Sequence, residues 1–486
     1  MHTLTLAELL PIAPEFFLIV VALLMLLIGV FKKTSKTKVV NYVLLFSLVI
    51  AISLISIFPS HQITSFHNFF LINAYTQFCK ILVITAVILV VLMSFRNFEN
   101  DHPTQFEIPI LILFSTIGMM LIISSNDLIS LFMGIELQSL ALYILIAIPR
   151  DNILATEAGL KYFILSALAT SLILFGSSLL YGLIGTTEFH NFALAFKEIP
   201  LNNPMLIVGL TMILSGLIFK LSLVPFHMWT PDVYEGSSTI ITSLVASAPK
   251  IAIFSLLMRF FIQIMHAHYF LWETAFIIVA FLSTFLGALT AIFQKNIKRF
   301  LAYSTISHMG YALIGILSRN QDGIESMLSY FIVYMVTVIG VFACLLNLRN
   351  QGRNVDTIEE LVNLSREYPL IAATLAVLMF SLAGIPPFGG FFVKMNVFMV
   401  AIKAGYILLP IGGVIASVIA AFYYLRIIKV MYFNKTEENP SLMNLERYKA
   451  FGTTMVMNIT ALIVVFYGLY PQMLMLALRD AAKALF

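Results

Sequence analysis

An all-α, polytopic transmembrane helix bundle of about fourteen helices, organised as two inverted five-helix repeats, is the fold class that three observations predict. The first is composition: 60% of the 486 residues are hydrophobic and 11% are charged, against roughly 25% charged in a soluble domain. The second is that apolar runs of about 20 residues, the length needed to cross a hydrocarbon core, follow one another almost end to end. The third is a pair of lysine-bearing segments broken by proline in corresponding places of the two halves of the chain.

The apolar runs place helices near 11–31, 39–58, 76–95, 107–124, 127–148, 156–185 and 204–224, then near 238–263, 270–293, 298–318, 324–348, 369–404, 408–433 and 452–475. Residues 1–100 read as an N-terminal three-helix segment, 107–263 and 270–433 as the two repeats, and 434–486 as a C-terminal loop and helix. Five helices per repeat is an odd number, so the second repeat must lie inverted relative to the first. The breaks fall in helices 7 and 12, the fourth of each block: FKLSLVPFHMWTPDVYEG at 219–236 and SLAGIPPFGGFFVKMN at 381–396. A helix break survives in lipid only where the freed backbone groups face protein or water. Paired breaks in matching positions mark the transport site of inverted-repeat proteins.

Lysine and arginine in the loops set the orientation. With the first loop on the cytoplasmic side, seventeen basic residues collect there, among them Lys32, Lys33, Arg96, Arg150, Lys298, Arg299, Lys435 and Lys449, while five lie opposite: Lys197, Arg319, Lys403, Arg479 and Lys483. Both termini are then expected on the outer side. The N-terminus lacks a basic n-region and a small-residue cleavage site, so it does not read as a removable signal peptide.

Several function classes are excluded. The net charge is only +4 and its basic residues are scattered through short loops, which argues against nucleic acid. An iron–sulfur cluster takes four thiolates, and the chain has two cysteines, Cys79 and Cys344. No HExxH, GxxxxGK[ST] or GxGxxG occurs, and His266 with His268 makes only an HxH in a loop. No metal or cofactor is expected on this chain.

Six basic residues remain inside the spans. Lys80 and Arg259 lie close enough to helix ends for snorkelling to the interface. Lys220 precedes the break at Pro225, and Lys250 sits mid-span in TSLVASAPKIAIF; Lys394 follows the double proline and reads as the mirror of Lys220. An ammonium at membrane depth is costly, and burial lowers a lysine's proton affinity enough for it to load and release protons near neutral pH. Glu136, in SLFMGIELQSLALYILI, is the acid expected in the middle of a span. Within about 4 Å of a lysine, at an effective dielectric near 20, it would bias that lysine's charge by about 4 kcal/mol. Lys161 has Glu157 four residues earlier, so a local i,i+4 pair accounts for it as well as a relay role does. His227 and His308 are candidate relay groups because imidazole titrates near pH 6.5, with a hydrogen-bonded structural role as the equal alternative.

The strings LFMGIELQSLALY, GLKYFILSALATS, FKLSLVPFHMWTPDVYEG, NIKRFLAYSTISHMGY and SLAGIPPFGGFFVK resemble the antiporter-like subunits of NADH-quinone oxidoreductase (respiratory complex I), which are related to the large subunits of Mrp-type sodium/proton antiporters. The resemblance runs over nearly the whole chain. It implies proton-relay roles for Glu136, Lys161, Lys220 and Lys250. In the M-type subunit and the Mrp relative a glutamate stands in the broken twelfth helix, whereas Lys394 here, with an end near 486, resembles the N type. NADH, FMN, iron–sulfur clusters and quinone are then expected on partner subunits. Those partners would be the M and L types and the small K, J, A and H types, in a bacterial inner membrane. Two departures, GSSTIITS after TPDVYEG and Pro249 immediately before Lys250, bear on the local helix geometry around Lys250.

Overall fold

The computed structural model describes residues 10–31, 36–58, 62–66, 68–101, 105–149, 151–200, 202–266, 269–434, 445–448 and 450–486. The N-terminal stretch 1–9, the first part of the segment that does not read as a removable signal peptide, and Lys32, Lys33, Arg150, His268, Lys435 and Lys449 lie outside the described residues.

Chain order gives α1 (Ala13–Phe31), α2 (Lys36–Ile57), α3 (Ala74–Asp101), α4 (Glu107–Ser124), α5 (Leu128–Ala147) and α6 (Ile153–Ile184). The seventh helix is split into α7a (Pro204–Leu221) and α7b (Trp229–Gly236), and the eighth into α8a (Thr239–Ala246) and α8b (Ala248–Arg259). Then come α9 (Tyr269–Ala291), α10 (Ile297–Ile316), α11 (Gln321–Leu346), α12a (Pro369–Ala383), α12b (Gly389–Lys403), α13 (Leu408–Phe433) and α14 (Phe451–Leu469). Two short β-sheets lie in loops, Ile63–Ser65 with Phe70–Ile72, and Leu348–Asn350 with Arg353–Asn354 and Leu445–Arg447.

Twelve helices among the described residues are long and apolar enough to cross a membrane, two fewer than the sequence count. The other two expected positions hold α10, whose apolar run is diluted by Lys298, Arg299 and His308, and α12, whose halves are each too short. The chain is an integral, multi-pass membrane protein.

Several boundaries differ from expectation for identifiable reasons. The eighth helix is interrupted at Ser247, whose φ and ψ of −115° and −83° leave the helical region. Pro249 explains this, because its ring and missing N–H remove a rung of the helical ladder. At the C-terminus the last span ends at Leu469, and after Pro471 the chain forms a separate helix over Met475–Lys483.

Every residue of α8b is buried, and so is α11 from Ser326 to Leu346, so these two form the centre of the bundle. The outer helices expose one apolar face each, as at Leu23, Leu27 and Phe31 on α1 and Leu160, Ile164 and Leu168 on α6. Lipid tails are as apolar as leucine and drive no hydrophobic association, so helix contacts rest on close packing at small residues. Between α6 and α7a the approach is close enough that a Cβ on Gly176 would lie 2.5 Å from the Gly209 carbonyl.

Lys80 and Arg259 do not snorkel. Lys80 is buried on α3, 2.5 Å from the equally buried Glu15 of α1, and Arg259 is buried against the C-terminal end of α4. Removing one member of a buried ion pair strands the other charge, at a cost of about 3–5 kcal/mol, whereas replacing both by apolar groups is often neutral or better. Lys80→Met is therefore expected to lower the unfolding midpoint of the detergent-solubilised protein, and Glu15→Leu combined with Lys80→Met to restore most of it. A double variant no more stable than the single one would show that the pair is not the anchor between α1 and α3.

Candidate proton-transfer site

The two breaks are built alike from the backbone upward. In the first, Ser222 takes a left-handed conformation (φ 63°) and the Val224–Pro225 bond is cis; in the second, Gly384 does the same (φ 79°) and Pro386–Pro387 is cis. In each, the residue after the left-handed one donates its N–H to the carbonyl five residues back, Leu223 to Ile218 at 3.1 Å and Ile385 to Phe380 at 3.0 Å. This closure satisfies some of the terminal carbonyls of α7a and α12a and leaves others free.

Side chains from elsewhere take the free carbonyls. In the first break, Lys250 Nζ donates to the Lys220 carbonyl at 3.1 Å and to Ser222 Oγ. Trp229 Nε1 donates to the Phe219 carbonyl at 3.0 Å, and its ring lies 4.9 Å beneath the Lys250 ammonium. In the second, Lys394 Nζ donates to the Leu382 carbonyl at 2.8 Å, the Ala383 carbonyl at 3.3 Å and Ser417 Oγ of α13 at 3.3 Å, with the Tyr311 ring 5.0 Å away. A cation at a helix C-terminus also meets the negative end of the macrodipole.

This geometry corrects the expected mirror relation. Counted from the left-handed residue, Lys220 and Leu382 hold the same place, two residues before Ser222 and Gly384. The carbonyls of these two residues each accept a lysine ammonium, from Lys250 in one break and Lys394 in the other. Lys394 thus makes the contact at its break that Lys250 makes at the first, whereas the place of Lys220 is held by Leu382. The segment that carries it is tightly fitted: a Cβ on Gly390 would lie 1.8 Å from the Ser381 carbonyl.

Lys220 is 5% exposed and donates to Ser139 Oγ of α5 at 2.7 Å and Ser166 Oγ of α6 at 2.6 Å. Tyr143 donates to the same Ser166 at 2.6 Å. Glu136 shares the α5 face with Ser139 and Tyr143, three and seven residues on, and is half-buried. Among the described residues no carboxylate lies within ion-pair distance of Lys220, Lys250 (1% exposed) or Lys394 (5% exposed). All three ammonium groups are held by neutral oxygens, and Glu136 stands off from the pairing that its sequence position suggested.

Lys161 belongs to a different network. Its side chain is 43% exposed and bridges Glu157 at 2.7 Å and Asp232 of α7b at 2.8 Å. Arg299 of α10 binds the other Asp232 oxygen at 2.7 Å and Glu235 at 2.8 Å, while Lys298 donates to the carbonyls of Glu235 and Ser237. Beyond the spans, burial raises the Asp356 carboxyl above its ordinary range, with Lys298 pulling it down.

Between Lys250 and Lys394 lies a polar aromatic cluster whose members, apart from His308, carry no sequence signal. Tyr334 of α11 donates to Thr305 Oγ1 of α10 at 3.0 Å, and its hydroxyl lies 3.3 Å from the Ala246 carbonyl, at the break in the eighth helix. His308 lies against Tyr334, with ring centres 5.4 Å apart. Its Nδ1 meets the Tyr330 hydroxyl at 2.6 Å, and its Nε2 meets the Tyr424 hydroxyl at 3.2 Å, which also bonds Ser304. Tyr311 sits between His308 and Lys394, and its hydroxyl, like that of Tyr234, is buried. His227 lies in the first break, half-buried and outside this cluster. Tyrosines in a membrane sequence read equally well as core or interfacial residues, which is why only their spatial convergence marks them.

Comparison with known proteins agrees with this geometry. The family model described as "NADH:quinone oxidoreductase/Mrp antiporter, TM" matches residues 125–420, which include both breaks. NADH-quinone oxidoreductase subunit N of Rhodospirillum rubrum is 43% identical over 480 residues, covering 98% of this chain and 97% of that one. The same subunit of Paramagnetospirillum magneticum is 43% identical over 485 residues, covering 99% and 98%. Among solved structures, a chain of respiratory complex I from Thermus thermophilus superposes with a TM-score of 0.81 at 27% identity, over 96% of this chain and 99% of that one. A chain of the Mrp complex from Dietzia shares the fold, with a TM-score of 0.82 at 20% identity over 97% of each. Similarity of this extent and over nearly the full length of both chains leaves one conclusion: the protein belongs to the NADH-quinone oxidoreductase subunit N family.

Proposed function

We propose that this chain is the proton-translocating N-type subunit of NADH-quinone oxidoreductase, coupling electron transfer on other subunits to proton movement through its buried lysines. The observation that carries this reading is that Lys220, Lys250 and Lys394 are buried ammonium groups solvated by neutral oxygens, with no carboxylate in ion-pair distance. A carboxylate partner would fix the charge, as Glu15 does for Lys80. Serine hydroxyls and carbonyls accept from the ammonium, yet leave the amine able to pass its proton to water or a neighbour.

In this reading Lys220 exchanges a proton with Lys250 across the first break. Lys250 passes it along the Tyr334, Thr305 and His308 cluster, and Lys394 delivers it on the far side. Each step is the transfer of one proton between two bases, with no other bond changed. The buried phenol hydroxyls of Tyr234 and Tyr311 add groups along this path that both give and take a proton. Glu136 acts at a distance, biasing the charge on Lys220. Lys161 tunes α7b through Asp232, and His227 is at most a side branch. Residues 107–263 and 270–433 act as inverted repeats, supported by the matching closures of the two breaks.

NADH, FMN, iron–sulfur clusters and quinone would be carried by partner subunits, and the chain would sit beside the M, L, K, J, A and H types in a bacterial inner membrane with both termini outward. The seventeen-to-five distribution of basic residues supports that orientation. An Mrp-type sodium/proton exchange is less well supported, because Lys394 puts a positive charge where a cation site would need a carboxylate.

Three outcomes test the relay in the assembled complex. Lys220→Ala is expected to lower proton pumping and coupled quinone reduction severalfold while leaving NADH oxidation by artificial acceptors intact, since electron entry is remote; unimpaired pumping would remove Lys220 from the path. Glu136→Gln should impair pumping more than Glu136→Asp, because its role is charge, and equal effects would favour packing. Tyr334→Phe, which deletes the hydroxyl linking the eighth helix to Thr305, should slow pumping without loss of assembly; wild-type pumping in this variant would route the path elsewhere.

A further inference from the structure

Lys298 and Arg299 stand where a helix disfavours them. They lie in the first turn of α10, and Asn296 Oδ1 accepts the backbone N–H of each, at 2.9 and 3.2 Å. The N-terminus is the positive end of the helix macrodipole, so two cations there oppose it. A preference broken at two successive residues points to a role elsewhere, and both side chains reach α7b. Lys298, 9% exposed, donates to the Glu235 carbonyl at 2.7 Å and to the Ser237 carbonyl at 3.0 Å. These lie at the C-terminal end of α7b, where carbonyls lack helical partners and the dipole is negative. Arg299 Nη1 donates to Asp232 Oδ1 at 2.7 Å and to Glu235 Oε2 at 2.8 Å. The start of α10 is fixed in turn: Ile297 donates its N–H to the Asp356 carbonyl at 2.8 Å, and Ile358 to the Lys295 carbonyl at 3.0 Å.

The opposite end of α7b is the Lys250 site. Trp229, its first residue, donates from Nε1 to the Phe219 carbonyl at 3.0 Å and presents its ring 4.9 Å from the Lys250 ammonium. That ring stacks on Tyr162 of α6 and on Phe219 of α7a, with centres 4.6 and 5.7 Å apart. Eight residues of helix, about 12 Å at 1.5 Å per residue, therefore join a lysine site of the first repeat to two anchors in the second. A helix this short moves as one body, and close-packed interiors transmit displacement, so a shift at Asp232 and Glu235 is carried to the Trp229 ring.

We propose that Lys298 and Arg299 are positioning residues for proton transfer in the other repeat: they hold α7b, and through it keep the Trp229 ring against the Lys250 ammonium. The proposal rests on the relay reading and adds to it two cations that pass no proton. The charged groups facing α7b are Glu157 and Lys161 from α6 and Lys298 and Arg299 from α10, with Asp356 4.0 Å from Lys298. Toward Lys250 stand Lys220 at the end of α7a, Tyr162 against the Trp229 ring and Tyr334 of α11. Among the described residues no carboxylate lies within ion-pair distance of Lys250, so the Trp229 ring is the group through which α7b acts on its charge.

Three roles for the two cations predict three different results. In the relay reading pumping fails at alkaline pH, once Lys250 no longer takes up a proton. Removing a cation at a distance favours the protonated lysine and moves this alkaline limb to higher pH. Loosening the Trp229 ring weakens a cation–π contact and moves it to lower pH, by about half to one unit. A support that only stabilises the fold lowers pumping equally at every pH. Whole complex carrying each variant would be checked for assembly and reconstituted in liposomes, and NADH-driven pumping followed from neutral to alkaline pH. Arg299→Gln and Lys298→Gln are each expected to lower alkaline pumping severalfold and to move the limb to lower pH. Arg299→Lys, which keeps the charge and loosens the fit, should show a smaller shift in the same direction. Trp229→Leu should shift the limb as the glutamine variants do, and Arg299→Gln with Trp229→Leu no further than the larger single shift, because the two act as one unit. A limb that stays in place or moves to higher pH in the variants that assemble, or single shifts that add in the double variant, overturns the proposal. Lys250→Ala separates the two readings. If it pumps with the wild-type profile, the relay itself is wrong; if it fails to pump while the glutamine variants keep the wild-type profile, only the positioning role is wrong.

Discussion

A carbonyl freed by a helix break has no water to accept from inside hydrocarbon, and the break persists only if a donor reaches it. Here the donors at the two breaks are lysine ammonium groups, with a tryptophan indole and a serine hydroxyl beside them. The dependence is mutual. An ammonium enclosed in a helix bundle needs oxygens to replace its hydration shell, and the end of a helix supplies both free carbonyls and the negative pole of a dipole. Break and lysine therefore form one unit, and the rest of the bundle is arranged to bury it: α8b carries Lys250 at the centre, and α11 seals the space between the two units.

The same chain holds other basic residues in three different ways, and the contrast sharpens the relay reading. Lys80 is locked to Glu15, Arg259 is held by two carbonyls and an amide, and Lys161 is half-exposed in a carboxylate network. Each arrangement holds a charge in place. Among the described residues, Lys220, Lys250 and Lys394 lack a carboxylate within ion-pair distance, so no salt bridge locks them in the protonated form. The tyrosines and His308 that lie between them offer hydroxyl and imidazole groups that both give and take a proton.

Much of the fold could be read in the sequence, because long apolar runs and proline breaks are local signals. The candidate lysines were legible for the same reason: a charge inside an apolar run stands out. What could not be read was long-range. Lys80 and Arg259 look like helix-end residues until Glu15 and the end of α4 are brought beside them. Lys394 looks like the mirror of Lys220 when both are counted from their prolines, but the left-handed residues at Ser222 and Gly384 set the register, which puts Leu382 in the place of Lys220 and leaves Lys394 making the carbonyl contact that Lys250 makes at the first break. Pro249 signals a disturbance near Lys250, yet only the backbone shows it as a break at Ser247. Glu136 is visible as an acid inside an apolar span, whereas its distance from Lys220 depends on how α5 is rotated against α7a.

The central claim is that these lysines change protonation during turnover. The direct measurement is a redox-induced infrared difference spectrum of the assembled complex with 15N-labelled lysine, compared between wild type and Lys250→Met. The account predicts isotope-sensitive ammonium bands that gain or lose intensity on reduction by NADH and are diminished in the variant. Lysine bands unchanged by reduction, or identical in the two proteins, would contradict it.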